Sequence, residues 1–155
     1  MAVYALSRNF DYFFTRLNPS LSFQSTASSE HQSIVKLLQG SILSPTCFLQ
    51  GSYKQDTSIY TINDVDIVAL CYLWQPGTGS GPGWSRDQIF DALAAPLRQD
   101  QRYKSKIRYS PNSMCLKIDL GIKVEILPVV YKAGTSNPNL EPFRLYRPAA
   151  KQWMD

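Results

Sequence analysis

The sequence predicts an α/β (α+β) domain in which helices flank a mixed β-sheet. Three observations lead there. Helical stripes at three- and four-residue spacing occur in the first half and again near residue 90. One apolar run, DVDIVALCYLW from Asp64, has no polar face after its aspartates, as expected of a central strand covered on both sides. Three shorter alternating runs then follow in close succession. With 155 residues, the chain is long enough for a single core, and residues 1–155 are read as one domain.

The elements follow in order. Leu6, Phe10, Phe13, Phe14 and Leu17 form one helical stripe, which Asn18-Pro19 ends. Residues 20–28, SLSFQSTAS, are polar and read as a loop. Ser29 and Gln32 make a capping box for a short second helix carrying Ile34, Val35, Leu37 and Leu38, and Gly40 supplies its stop. TCFLQ at 46–50 and the run from Asp64 are strands. The glycine-rich QPGTGSGPGW fits neither GxGxxG nor GxxxxGK[ST] and reads as a connector. Ser85 and Gln88 form a second capping box, before a stripe of Ile89, Phe90, Leu93 and Leu97 that Pro96 kinks or ends. SKIRYS, SMCLKIDL and IKVEILPVVY are three strands, with turns at Pro111-Asn112 and Gly121. The tail from Lys132 has four prolines and the aromatic-basic segment PFRLYRPAAKQW, with no assigned element.

Composition excludes several classes. Cys47, Cys71 and Cys115 form no CxxC, so zinc-ribbon and thioredoxin-like chemistry has no support, and reduced thiols place the chain in the cytoplasm. The lone His31, beside Glu30 and Gln32, reads as a solvated helix position and excludes mechanisms that need two histidines. MAVYALSRNF does not have the form of a signal peptide, and no apolar run approaches the roughly 20 residues that span a bilayer, so no membrane partner is expected. The net charge of +4 favours polyanions only weakly; it does not by itself support a nucleic-acid partner.

The two aspartates at the head of the apolar run carry the chemistry. Strand side chains alternate, so Asp64 and Asp66 point one way and Val65 and Ile67 the other. Their backbone separation of about 6.6 Å lets two carboxylates converge on cations. A solvated turn is the structural alternative. A third carboxylate, Glu125, interrupts the apolar strand IKVEILP; an edge pairing with Lys117 or Lys123 is its alternative reading. Asp119 is a rival third acid, expected to be exposed beside the Gly121 turn. Gly51 and Ser52 follow the first strand, where backbone can approach a ligand and amide and hydroxyl groups can meet phosphate.

Gly51, Ser52 and Thr57, then Asp64-x-Asp66, then Glu125 with Leu127-Pro128, together resemble the DNA polymerase β-like nucleotidyltransferases. FLQGSYKQDTSIYTINDVDIVAL looks most like the branch holding bacterial cGAS/DncV-like enzymes, oligoadenylate synthases and archaeal-type CCA-adding enzymes. EILPVV and FRLYRPAAKQW look most like the bacterial antiviral oligonucleotide cyclases. The resemblance covers roughly residues 30–153. It implies a nucleotidyltransferase fold and NTP substrates. It also implies Mg²⁺, with Mn²⁺ as a substitute, held by Asp64, Asp66 and Glu125, and phosphates held by Gly51, Ser52 and Thr57. The implied reaction joins nucleotides with release of pyrophosphate, and its product in this branch is a cyclic oligonucleotide.

Two rival functions come from other classes: nucleotide addition to RNA or protein, and a silent nucleotide-binding module. The family's third acid is usually Asp, whereas Glu125 has one more methylene. Relatives continue into a helical lobe, so a further lobe or partner chain is expected to complete the cleft. The tail residues Phe143, Leu145, Tyr146 and Trp153 are expected to form an open apolar surface there.

Overall fold

The structure, a computed structural model, describes residues 21–43, 45–50, 64–71, 84–131 and 143–154. Its elements are α1 (Leu21–Gln39), β1 (Thr46–Gln50), β2 (Asp64–Cys71), α2 (Arg86–Gln99), β3 (Ile107–Arg108), β4 (Leu116–Asp119), β5 (Lys123–Tyr131), β6 (Phe143–Arg147) and β7 (Gln152–Met154). The described strands form one mixed sheet in the order β1-β2-β5-β4-β3, and the β6-β7 hairpin joins it through β5. Only β2 and β5 run parallel. This is the predicted mixed α+β architecture. The stripe at Leu6–Leu17 and most of the glycine-rich connector lie outside the described residues.

The first helix corrects the expectation of a loop at 20–28. Helix α1 runs through that stretch, and Ser29 sits inside it rather than at its cap. Its polarity misleads because the hydroxyls stay within the helix. Ser25 Oγ and Thr26 Oγ1 donate to the Ser22 carbonyl at 3.0 and 2.8 Å, so they do not compete with the helical ladder. Ala27, Ile34 and Leu38 give the buried stripe. His31 is half-buried, with Nε2 lacking a partner among the described residues, which corrects the solvated reading. Burial lowers its pKa below the usual 6.5.

Helix α2 begins as predicted. The Ser85 N–H donates to Gln88 Oε1 at 2.8 Å, and the Gln88 N–H donates back to Ser85 Oγ at 3.3 Å. Pro96 does not end the helix, which continues to Gln99. A proline at 96 has no N–H for the carbonyl four residues earlier, that of Ala92. The buried Ser41, just past α1, donates its hydroxyl to that carbonyl at 2.8 Å. One side chain thus satisfies the orphaned acceptor and ties the two helices together.

Both helices cover one face of the sheet. Phe90, Leu93 and Leu97 from α2 and Ile34 and Leu38 from α1 pack over Val65, Ile67, Val124, Ile126, Leu116 and Ile118. The buried Arg86 clips α2 to the turn before β4, donating to the Ser110 and Ser113 carbonyls at 2.6 and 2.8 Å. Pro128 sits inside β5, where a proline normally removes a ladder bond. Here it falls between Ile126, the last residue paired with β4, and Val129, the first paired with β6. No partner occupies that flank at 128, so no bond there is lost.

The tail also departs from expectation. It forms β6 and β7, with Tyr146 opposite Trp153 and their rings 5.6 Å apart, edge to face. Trp153 packs against the main core instead of lying open.

Candidate functional site

Strand β2 presents its alternation plainly. Val65 and Ile67 are buried under the helices, while Asp64 and Asp66 are half-buried on the opposite face. The parallel pairing with β5 sets Asp66 opposite Glu125 and Asp64 opposite Lys123. Cross-strand partners share a face, so Asp64, Asp66 and Glu125 all lie on the side away from the helices. Further along the same face, Val68, Leu70 and Val129 form a second, smaller apolar cluster with Leu127 and Leu145. The carboxylates therefore sit at the polar end of a face whose other end is apolar. Gly51, Ser52 and Thr57 lie outside the described residues.

The electrostatics follow from this placement. Burial, then the nearby Glu125, then Asp64 push the Asp66 carboxyl above its usual value. Glu125 accepts from Lys117 Nζ at 2.7 Å, the side chain opposite it on β4. The edge pairing considered from sequence is therefore present. It coexists with Glu125 facing Asp66, because β5 lies between β2 and β4. The Glu125 carboxylate in turn holds the Lys117 ammonium above its ordinary value. Asp119 is exposed, and its Oδ1 accepts from the Gly121 N–H at 3.3 Å. Gly121 takes φ 86°, a left-handed turn residue between β4 and β5.

Sequence reading missed two neighbours. Cys115 stands beside Glu125; burial and that carboxylate push its thiol up to about 11, which does not suit a nucleophile. Arg108 lies opposite Lys117 on β3. Only the register of short strands brings these residues in, and no linear motif marks them.

An open cleft of about 250 Å³ adjoins the carboxylates. Lys106, Arg108, Lys117 and Lys123 line it together with Asp64, Asp119 and Glu125. Among the described residues, no three Asp, Glu, His or Cys side chains already close on a metal position. In chemistry the donor set does fit a hard divalent cation: Asp64, Asp66 and Glu125 share one face, and burial together with the two neighbouring carboxylates raises Asp66. No described helix is long and apolar enough to cross a membrane.

Comparison with known proteins gives a consistent picture. Residues 4–149 match the family model described as Second Messenger Oligonucleotide or Dinucleotide Synthetase domain. The chain superposes on the c-UMP-AMP synthase CdnE of Rhodothermus marinus with a TM-score of 0.59 at 18% identity, covering 88% of this chain and 52% of that one. For the E. coli MS115-1 CdnC solved with HORMA-deltaN, the values are 0.60, 15%, 90% and 42%. For the Bradyrhizobium diazoefficiens CD-NTase CdnG in complex with GTP, they are 0.60, 19%, 86% and 39%. The chain thus spans about half or less of each of these structures. No curated protein sequence matches it.

Proposed function

Since the chain belongs to the Second Messenger Oligonucleotide or Dinucleotide Synthetase family, we propose that it is the catalytic lobe of a metal-dependent nucleotidyltransferase whose product is a cyclic oligonucleotide of antiviral signalling. The observation that carries this reading is the register of β2 and β5, which puts Glu125 beside Asp66 and two residues from Asp64's row. Asp64, Asp66 and Glu125 would hold Mg²⁺, or Mn²⁺ in its place. The bound cation would neutralise phosphate charge and lower the pKa of an attacking hydroxyl.

The chain's own residues position the reactants. Gly51, Ser52 and Thr57 would hold the outer phosphates of the donor NTP through backbone and hydroxyl groups. A ribose hydroxyl on a second nucleotide attacks the donor's α-phosphorus; one P–O bond forms as the bond to pyrophosphate breaks. Lys117, donating to Glu125 at 2.7 Å, supplies a standing counter-charge beside the site. A further lobe or partner chain completes the cleft, in keeping with the fraction of the solved structures that this chain spans.

The test is incubation with all four labelled NTPs and Mg²⁺ or Mn²⁺, followed by product analysis and pyrophosphate release. The Asp64→Asn/Asp66→Asn variant is expected to fold yet lose metal-dependent NTP binding. Undiminished metal-dependent affinity in that variant sinks the reading. The ion pair at Glu125 favours one rival, a module that binds NTPs without turnover; formation of any nucleotide-to-nucleotide product eliminates it.

A further inference from the structure

We propose that Lys117 is a positioning residue that sets how tightly the carboxylates hold a divalent cation: its ammonium, seated on Glu125, already supplies part of the charge that the cation would bring. The inference rests on the metal-site part of the reading above, and it concerns affinity for the cation before any nucleotide arrives.

Register gives the geometry. Asp66 stands opposite Glu125 across β2 and β5, and Glu125 stands opposite Lys117 across β5 and β4. Cross-strand partners share a face, so Glu125 lies in one row between an anion and a cation. Its Oε1 accepts from Lys117 Nζ at 2.7 Å. Among the described residues, this is the ion pair that engages any of Asp64, Asp66 and Glu125. Lys117 also lines the open cleft together with Asp64 and Glu125, so its ammonium and an entering cation share the same space.

Two charges then compete for one carboxylate. A unit charge about 5 Å from a divalent cation weakens its binding several-fold even in water with salt. Holding Glu125 in one place works the other way, because an ordered carboxylate loses less side-chain freedom on coordination. That gain is the smaller one: Lys117 is 61% exposed and Glu125 31%, so the pair orders both side chains only loosely. Repulsion therefore wins, and the lysine lowers the affinity of the site. A lysine suits this task, being a compact charge on a flexible stem that can leave the carboxylate without disturbing the strands. The same exposure makes the pair worth little to folding, so its effect falls on the cation rather than on the fold.

The experiment is a titration of the 155-residue chain with Mn²⁺ in the absence of nucleotide, followed by the paramagnetic resonance signal of free Mn²⁺. Lys117→Gln is expected to bind roughly three- to tenfold more tightly than the parent chain, and Lys117→Arg, which keeps the charge, to bind like the parent. Lys106→Gln removes an equal charge from the wall of the same cleft, where Lys106 makes no ion pair among the described residues, and should change affinity less than about twofold. Mn²⁺ should also raise the thermal midpoint of Lys117→Gln, measured against EDTA, by more than it raises the parent's. Unchanged or weaker Mn²⁺ binding in Lys117→Gln, no saturable binding in either protein, or an equal gain in Lys117→Arg or Lys106→Gln overturns the assignment. The metal-site reading fails, and this assignment with it, if Asp64→Asn/Asp66→Asn binds Mn²⁺ as the parent does. Failure of the transferase reading shows separately, as absence of pyrophosphate release from NTP and Mg²⁺.

Discussion

The two faces of the sheet are built from the same strands and answer to different demands. On the helix side, Val65, Ile67, Val124 and Ile126 are fully buried beneath α1 and α2. On the other side, the very next residues are Asp64, Asp66 and Glu125, each half-exposed. The difference shows how the fold can carry repelling charges. The packed face fixes the strand register, and the register alone brings the carboxylates together, with no stabilising contact between them. What holds the site in place is therefore on the far side of the backbone from the site.

That contrast can be broken by mutation. The largest expected effect is Phe90→Ala, which removes a fully buried ring from α2 and should cost about 3–5 kcal/mol in urea-induced unfolding. Asp66→Asn, on the other face, should cost nothing in EDTA and raise stability slightly at neutral pH. An equal loss in both would show that the faces are not energetically separate. Next comes Ser41→Ala, which leaves the Ala92 carbonyl without a donor and should cost about 1–3 kcal/mol. Removing the open face's best ion pair with Lys117→Gln should cost only about 0–1 kcal/mol, because the pair is partly solvated.

The smallest effect is a pH dependence of opposite sign on the two faces. His31 has a lowered pKa, so the unfolded chain binds more protons below pH 6.5. The helix face therefore loses stability as pH falls through that value. Asp66 has a raised pKa, so the native chain binds more protons just above pH 3.8. The carboxylate face therefore loses stability as pH rises from there. In denaturant titrations across pH 3.5–7.5 in EDTA, about the span of these ordinary values, His31→Asn should flatten the upper part and Asp66→Asn the lower. Parallel curves for all three proteins would refute the assignment.

Much of this arrangement was legible in the sequence, for stated reasons. The strands at 46–50 and from Asp64, the Ser85 capping box and the Gly121 turn each rest on a local rule that tertiary contacts did not override. The first turns of α1 were not legible, because their hydroxyls bond inside the helix, where composition suggests a loop. Strands β6 and β7 were hidden because prolines nearby argue against pairing, and a short hairpin gains its order from β5. For the candidate site, alternation showed which way Asp64 and Asp66 point. Lys117 was one of the two edge partners the sequence offered Glu125, but that Cys115 and Arg108 stand near it depends on pairing across turns, which no spacing rule specifies.

Pro128 gives β5 a key. Shifting β4 by one residue along β5 turns Lys117 over to the helix side; shifting it by two moves it away from Glu125. Either slip by β4 or β6 along β5 would carry a paired residue toward the one position on that flank that has no hydrogen to donate. Misaligned ladders therefore start one bond short, and the aligned one does not. The missing hydrogen thus acts as an error check on the β4-β5 register, and what it protects is the alignment of Lys117 with Glu125.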